Sequence, residues 1–275
     1  MGTDLQFDHA VHFVSKPEDL IAELAELGIH TVQGGRHEGI GTYNSLTYFD
    51  LSYIEWIGVF DHQLLPPHQE TPRYGLVETL AEDGYTEGLS RIGVRTQRID
   101  ELAVHLANQG LEVVGPVDCS RRRPDGKLIS WKLLFAGQPE GGLPLPFFIQ
   151  WDDSDETRRA ELTQHGTIAE HGLGPLKLDY VAFTVHNLAK TVDNWTKWLG
   201  LEAEAHGYDD VWQGKKQTVR LGDVSLVFIE PDQNGTASTF LQKRGERPFA
   251  LGLTGGAARA VQPYLNLHGS IYHLA

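Results

Sequence analysis

Among the groups of this chain able to move protons are His9, His37 and Glu55, which fall in three different patterned segments. His9 shares the odd-numbered parity of Phe7, Val11 and Phe13, which alternate as one buried face of a strand, whereas His12 falls on the other face, under a helix or in water. Glu55 lies in the strand-like Tyr53-Ile54-Glu55-Trp56. An imidazole and a carboxylate are the commonest general acid and base partners. His37 stands among Gly34, Gly35, Gly39 and Gly41, where bare backbone can approach a ligand and expose amide donors. It can act as a base, touch a substrate, or be a solvated loop histidine. Thr42 and Asn44 follow as neutral hydrogen-bonding groups, and Asn44 can equally tie the loop down. Arg121-Arg122-Arg123 runs into the turn signature Pro124-Asp125-Gly126, either an anion clamp or a solvated hairpin tip. The single cysteine, Cys119, excludes an intrachain disulfide and a thiolate zinc site, and a buried thiol suits it best. Neither a Gly-x-Ser-x-Gly elbow nor a phosphate-binding loop is present.

These residues belong to a unit that repeats. Phe7–Val14, Leu89–Thr96, Leu178–Val185 and Pro248–Leu253 each lead toward a glycine at nearly constant spacing. His9 to Gly28, Arg91 to Gly110 and Ala250 to Gly269 span 19 residues, and Tyr180 to Gly200 spans 20. Between strand and glycine lies a helix pattern: Leu20, Ile21, Leu24 and Leu27 in copy one, Ile99, Leu102, Ala103 and Leu106 in copy two, and Leu188–Leu199 in copy three. Ile29–Gln33, Ser45–Leu51 and Tyr53–Phe60 then read as strands, as do Leu111–Val117, Ile129–Phe135 and Phe147–Trp151. Tyr53-Ile54-Glu55-Trp56, Phe148-Ile149-Gln150-Trp151 and Phe228-Ile229-Glu230-Pro231 align as the closing strands. The fourth copy is expected to hold a strand, a helix over Ala257–Leu267 and little more. The unit is βαβββ.

A lone βαβββ sheet leaves one apolar side open, so the units must pair, one with two and three with four. The expected class is α+β, with tandem βαβββ modules and curved mixed sheets that enclose a cleft. Residues 1–155 form the first pair and 174–275 the third copy with a truncated fourth. The linkers are His62–Glu87 and Asp152–Pro175, the second with a charged helical run. Copies three and four, with Tyr180, Glu230 and Ala250 at the matching positions, read as scaffold, dimer surface or a degenerate pocket. Trp56 and Trp151 are expected to face away from the cleft, and Trp131 either walls it or packs in the core.

A formal charge of −14 disfavours a general nucleic-acid binder. No apolar run spans a membrane and no secretory signal opens the chain, so a cytoplasmic protein with a small-molecule ligand is expected, as a monomer or homodimer.

Gly35-Arg36-His37-Glu38-Gly39-Ile40-Gly41-Thr42-Tyr43-Asn44 leading to Tyr53-Ile54-Glu55, and Arg121–Gly126 leading to Trp131 and Pro146–Trp151, resemble the glyoxalase-like group of the vicinal oxygen chelate superfamily. That superfamily includes glyoxalase, extradiol dioxygenases and bleomycin-resistance proteins. The resemblance covers Phe7 to Trp151. It implies metal ligands on the first and last strands of paired modules, which here are His9 and Glu55, then Arg91 and Gln150. Arginine offers no lone pair, so the four-ligand pattern is broken. A divalent ion (Zn, Fe, Mn or Ni) would rest on His9 and Glu55, with His37, Gln150 or water completing the shell, and is expected to be weak or absent. Arg91 instead grips an anion or pairs with Glu55. The implied activity is that of a lyase, isomerase or dioxygenase on an anionic or enolisable oxygenated substrate. Glu55 or His37 then moves the proton, His9 orients or ligates, and Arg91 with Gln150 holds negative charge, while Asn44, Trp131 and Arg123 contact substrate. The alternative is a protein that sequesters a drug or metabolite without turnover.

Overall fold

The structure, a computed structural model, describes residues 4–66, 72–122, 126–256 and 263–275. Copy one forms β1 (Gln6–Phe13), α1 (Asp19–Glu26), β2 (Val32–His37), β3 (Thr42–Phe49) and β4 (Ser52–Val59). A linker helix, α2 (Leu76–Glu82), precedes copy two, which forms β5 (Gly88–Arg95), α3 (Ile99–Asn108), β6 (Glu112–Arg122), β7 (Leu128–Gly137) and β8 (Phe147–Trp151). The charged run becomes α4 (Asp155–Gln164), its first amides capped by Ser154. Copy three is β9 (Lys177–Thr184), α5 (Leu188–Leu199), β10 (Gly207–Asp209), β11 (Gly214–Leu221) and β12 (Val224–Pro231). After α6 (Thr236–Arg244) come β13 (Arg247–Thr254), β14 (Tyr264–Leu267) and β15 (Ser270–Leu274).

The first sheet runs β2-β3-β4-β1-β5-β8-β7-β6 and the second β10-β11-β12-β9-β13-β15-β14. Copies one and two, and three and four, thus join through their first strands. The seams are antiparallel, β1 on β5 and β9 on β13, while each first strand runs parallel to its own closing strand where those pairs form. The mixed sheets and helices form the expected α+β architecture. Helix stripes such as Leu20 and Leu24, Ile99 and Leu106, and Val192 and Trp195 bury into one core shared by the helix-bearing faces of both sheets. The opposite, concave faces are partly filled by linker helices. Leu80 of α2 packs on Val11, Phe13 and Phe147, and Ala237 of α6 packs among Ala182 and Phe249.

Three expectations need correction. The glycine-rich stretch around Gly34 and Gly35 is strand β2, with a bulge between Gln33 and Arg36, because it pairs with β3. In the fourth copy, residues 257–262 lie outside the described residues, and Tyr264–Leu267 is a strand rather than a helix. Gly269, unlike Gly28 and Gly200 at helix ends, serves the turn between β14 and β15 with φ +79°.

The closing strands are also offset. Val14, Thr96 and Val185, which end the first strands, donate their amides to the carbonyls of Ile57, Ile149 and Ile229 respectively. The equivalent residues are therefore Ile57, Ile149 and Ile229, which moves the closing segment of copy one three residues on from the expected Tyr53–Trp56. Two isoleucines within Ile54-Glu55-Trp56-Ile57 made both alignments available. Glu55 then corresponds to Phe147, and Gln150 to Glu230. The last pair does one job: Gln150 Oε1 accepts the Ile99 amide of α3 at 2.9 Å and Glu230 Oε2 the Leu188 amide of α5 at 2.9 Å. Both cap helices on the convex side. In copy one that place is Gly58, where a Cβ would meet Pro17 Cδ at 2.6 Å.

Candidate functional site

β1 carries a bulge between Phe7 and His9 in its pairing with β5. The bulge breaks the strict alternation and lets Asp8 and His9 meet on the concave side. His9 Nδ1 lies 2.7 Å from an Asp8 carboxylate oxygen. The carboxylate accepts, so the proton sits on Nδ1 and Nε2 faces the other way, 3.7 Å from Glu55 Oε2. Asp8 is fully buried. Burial alone would raise its pKa, but hydrogen bonds from His9 and Trp151, with the charges of His9 and Arg158, hold it below the usual carboxylate value. Trp151 Nε1 donates to its second oxygen at 3.0 Å.

Glu55 stands on β4, two residues from Tyr53, whose ring stacks on His9 at 4.5 Å between centroids. Tyr48 stacks on Tyr53 in turn at 4.6 Å, and Phe147 meets the imidazole edge-on at 5.2 Å. The His9 ring is therefore fixed by one hydrogen bond and two aromatic neighbours. Asn44 fixes the carboxylate: its Nδ2 donates to Glu55 Oε1 at 2.5 Å while its Oδ1 accepts from the Gly35 amide at 2.8 Å. A Cβ on Gly34 would lie 2.0 Å from Asn44 Oδ1, so glycine is what lets the amide side chain sit there. His37 Nδ1 bonds Thr42 Oγ1 at 2.9 Å. Burial lowers the His37 pKa, Glu55 opposes that, and Arg121 adds to it, so the ring is neutral near pH 7.

From the other half of the sheet, Trp131 on β7 lies 5.7 Å from Trp151, and Arg121 on β6 shares the Trp131 face through its pairing with Ile129. Arg158 of α4 lies over the Trp151 ring at 4.2 Å. The concave face is thus divided, with α2 filling one part and His9, Glu55, Asn44, His37, Trp131 and Arg121 arranged around the rest.

Two expected site residues are elsewhere. Arg91 is on the concave side but lies beneath α2, where its guanidinium donates to Tyr74 O at 2.9 Å, Thr79 Oγ1 at 2.8 Å and Leu145 O. It makes no pair with Glu55. Burial lowers its pKa to about 10. Three protein acceptors leave it a structural post for the linker helix. Gln150 caps α3, as described above. Trp151 was expected to face away and instead faces the site, because the corrected register gives it the parity of Phe147. Arg123 lies outside the described residues. His12 is buried between the halves, with Nδ1 at 2.7 Å from Tyr272 Oη.

Among the described residues no three His, Cys, Asp or Glu groups converge so as to hold a metal ion. His9 Nε2 and Glu55 Oε2 make a two-donor set, with apolar Phe147 where a second closing-strand ligand would stand. That set does not fit the three or four donors the resemblance implied. A separate cavity of about 200 Å³, lined by Gln138, Leu143, His186, Lys190 and Trp198 among others, includes none of these groups.

Sequence reasoning missed Asp8, Tyr53 and Trp151. The Asp8-His9 dipeptide was visible, but two adjacent side chains on one face contradict strand alternation, and a bulge leaves no mark in composition.

A profile described as a glyoxalase-like domain matches residues 7–199. Comparison with curated proteins gives no match. A hypothetical protein from Staphylococcus aureus has a similar structure, with TM-score 0.79 and 22% identity over 98% of this chain and 99% of that one. A mutant 4-hydroxymandelate synthase from Streptomyces coelicolor gives TM-score 0.57 and 14% identity, covering 92% of this chain and 71% of that one. These likenesses show the fold alone.

Proposed function

From the premise that this chain belongs to the glyoxalase-like domain family of the vicinal oxygen chelate superfamily, we propose that it is an isomerase- or lyase-type enzyme. It moves a proton to and from carbon in an enolisable, oxygenated small molecule. The observation that carries this reading is the line Asp8–His9–Glu55, a buried carboxylate, an imidazole with its tautomer fixed, and a second carboxylate 3.7 Å from Nε2.

The gap between Nε2 and Glu55 Oε2 is too long for a direct hydrogen bond, which leaves both atoms free for a substrate. Glu55 accepts the proton from the carbon beside a carbonyl and becomes a carboxylic acid. The C–H electron pair moves into the carbonyl, whose oxygen becomes an enolate. His9 enters this step already protonated by solvent on both nitrogens, with Nδ1–H held by Asp8 and Nε2–H donated to that oxygen, and Asp8 balances the imidazolium charge. Return of the proton from Glu55 to a different position completes an isomerisation, while collapse of the enolate to expel a neighbouring leaving group with its bonding pair, protonated in turn by Glu55, completes an elimination. Asn44 keeps Glu55 oriented, and the neutral His37 is available as a relay. A positioned acid and base of this kind contribute roughly 10²–10⁴-fold each.

Proton NMR in heavy water tests this on α-oxo acids, α-oxo aldehydes and neutral diketones. The wild-type protein is expected to accelerate exchange of the C–H beside the carbonyl, and Glu55→Gln to abolish it. Binding without exchange, or exchange that survives Glu55→Gln, overturns the proposal, and the first result would favour a sequestering protein.

A further inference from the structure

We infer that Arg121 is the residue that selects the substrate, and that the substrate carries a carboxylate at the end remote from the Glu55 proton-transfer centre. The inference rests on the proton-transfer reading for the reacting end of the molecule.

The first observation is the path of the side chain. Arg121 stands on β6, one edge of the first sheet, and Gly35 on β2, the other edge. A Cβ built on Gly35 would lie 2.7 Å from Arg121 Nη1 and 3.3 Å from its Cζ. The guanidinium therefore rests against the bare backbone of the opposite edge and spans the mouth of the curled sheet. Gly35 has no positive φ to explain it. Its lack of a side chain is what admits the arginine.

The second observation is that this guanidinium is unpaired. It is half-buried, and among the described residues it has no hydrogen-bond or ion-pair partner. That is unusual in a chain with 37 acidic and 23 basic residues, where Arg36, Arg73, Arg95, Arg98, Arg159 and Arg220 each hold a carboxylate. The third is its neighbourhood. Arg121 acts electrostatically on His37 and on Tyr48, and His37 also feels Glu55. The guanidinium lies against Gly35, whose amide bonds Asn44 Oδ1, while Asn44 Nδ2 holds Glu55, so guanidinium and carboxylate sit on either side of one amide side chain, within reach of one small molecule. A planar fork of donors left open beside a proton-transfer centre matches a carboxylate, which it can grip with two parallel hydrogen bonds.

The probes are pyruvate and levulinate, two oxo acids of different reach, each compared with its own primary amide. Affinities are read by NMR titration for wild type, Arg121→Gln, Arg121→Lys and Gly35→Ala. Wild type is expected to bind at least one acid more tightly than its amide. Arg121→Gln should weaken that acid roughly 10- to 100-fold, the range for a charge-assisted hydrogen bond, and leave the amide unchanged. Arg121→Lys should recover part of the loss. Gly35→Ala, which displaces the guanidinium without removing it, should also reduce the preference for the acid. Equal binding of acid and amide by wild type, failure of both acids to bind, or an acid affinity indifferent to Arg121→Gln overturns the inference. Glu55→Gln separates the two claims. If exchange depends on Glu55 but acid preference ignores Arg121, only the inference about Arg121 falls. If acid preference follows Arg121 while exchange ignores Glu55, the anion subsite stands and the proton-transfer reading falls.

Discussion

Gly93→Ala should disable the site without replacing a polar group. Gly93 lies opposite His9 in the β1–β5 ladder. A Cβ there would stand 2.7 Å from His9 Cε1, 2.9 Å from Nδ1 and 3.1 Å from Phe147 Cε2. Ordinary carbon contacts begin near about 3.5 Å, so the imidazole must retreat by roughly 0.8 Å. Tyr53 stacked on the ring and Phe147 at its edge leave it little room to do so. A retreat of that size breaks the bond to Asp8 and leaves a buried carboxylate without its main partner. Overpacking costs roughly 1–3 kcal/mol, and a lost charge-assisted hydrogen bond roughly 1.5–3 kcal/mol. The expected destabilisation is about 2–5 kcal/mol, because Asp8 can follow the ring part of the way. Urea unfolding followed by tryptophan fluorescence measures it. Gly39→Ala is the control, since that glycine has no neighbour within 4 Å and no positive φ. In a double-mutant cycle, most of the Gly93→Ala cost should vanish in a His9→Ala background, where the ring is gone. A full cost in both backgrounds, or a Gly93→Ala protein as stable as wild type, would refute the steric argument.

Other outcomes follow from the same geometry. Asn44→Ala removes the donor to Glu55 Oε1 and the acceptor for Gly35 N, and should lower proton exchange more than ligand affinity, with a stability loss of about 1–3 kcal/mol by thermal melting. Gln150→Ala should cost about 1 kcal/mol, the usual value of a helix cap, and leave exchange unchanged, which separates its observed capping from the expected ligand role. Two histidines set opposite pH limits. His268 has Nδ1 at 3.1 Å from Glu87 and Nε2 at 2.9 Å from Glu23, so both ring nitrogens donate. Burial pulls its pKa down, but these two carboxylates reverse that and raise it overall. The raised folded pKa means its contribution is complete below the unfolded value near about 6.5 and lost as pH rises through the folded value. His12 is the reverse: burial lowers it to about 3. An unfolded chain takes up a proton there that the folded protein refuses, so stability falls as pH drops from about 6.5 towards 3, and His12→Asn should flatten that acid limb of a pH-dependent urea titration. An unchanged acid limb in His12→Asn, or a base limb indifferent to His268→Asn, would contradict these assignments.

The repeat was legible because strand parity, helix stripes and terminal glycines recur at fixed spacing, and those signals depend only on local burial. His9 could be placed on its strand for the same reason, whereas Glu55 followed from the family resemblance, and His37 and Asn44, read as a glycine-rich loop, lie on β2 and β3. Three features escaped. The bulge that turns Asp8 toward His9 depends on cross-strand pairing rather than on its own segment. The closing-strand register of copy one turns on which of Ile54 and Ile57 receives the Val14 amide, a question of three-dimensional pairing. The fate of Arg91 was decided by α2, a linker helix lying over the residue from outside the repeat. Within the fourth copy, Leu265 and Leu267 alternate as a strand should, but four residues were too few to outweigh the helical spacing that preceded them.

The reach of Arg121 across to Gly35 also bears on how the molecule keeps to itself. An uncovered strand edge invites another chain to add a strand and start an aggregate. In the first sheet the exposed edges are β2 and β6, the two that this side chain brings together. The longer of them, β6, is interrupted by an irregularity between Val114 and Val117 that includes Pro116, which has no amide hydrogen to offer. In the second sheet the edges are β10 and β14, of three and four residues, too short to template a partner. Growth by strand addition is thereby discouraged at these four edges of the described sheets.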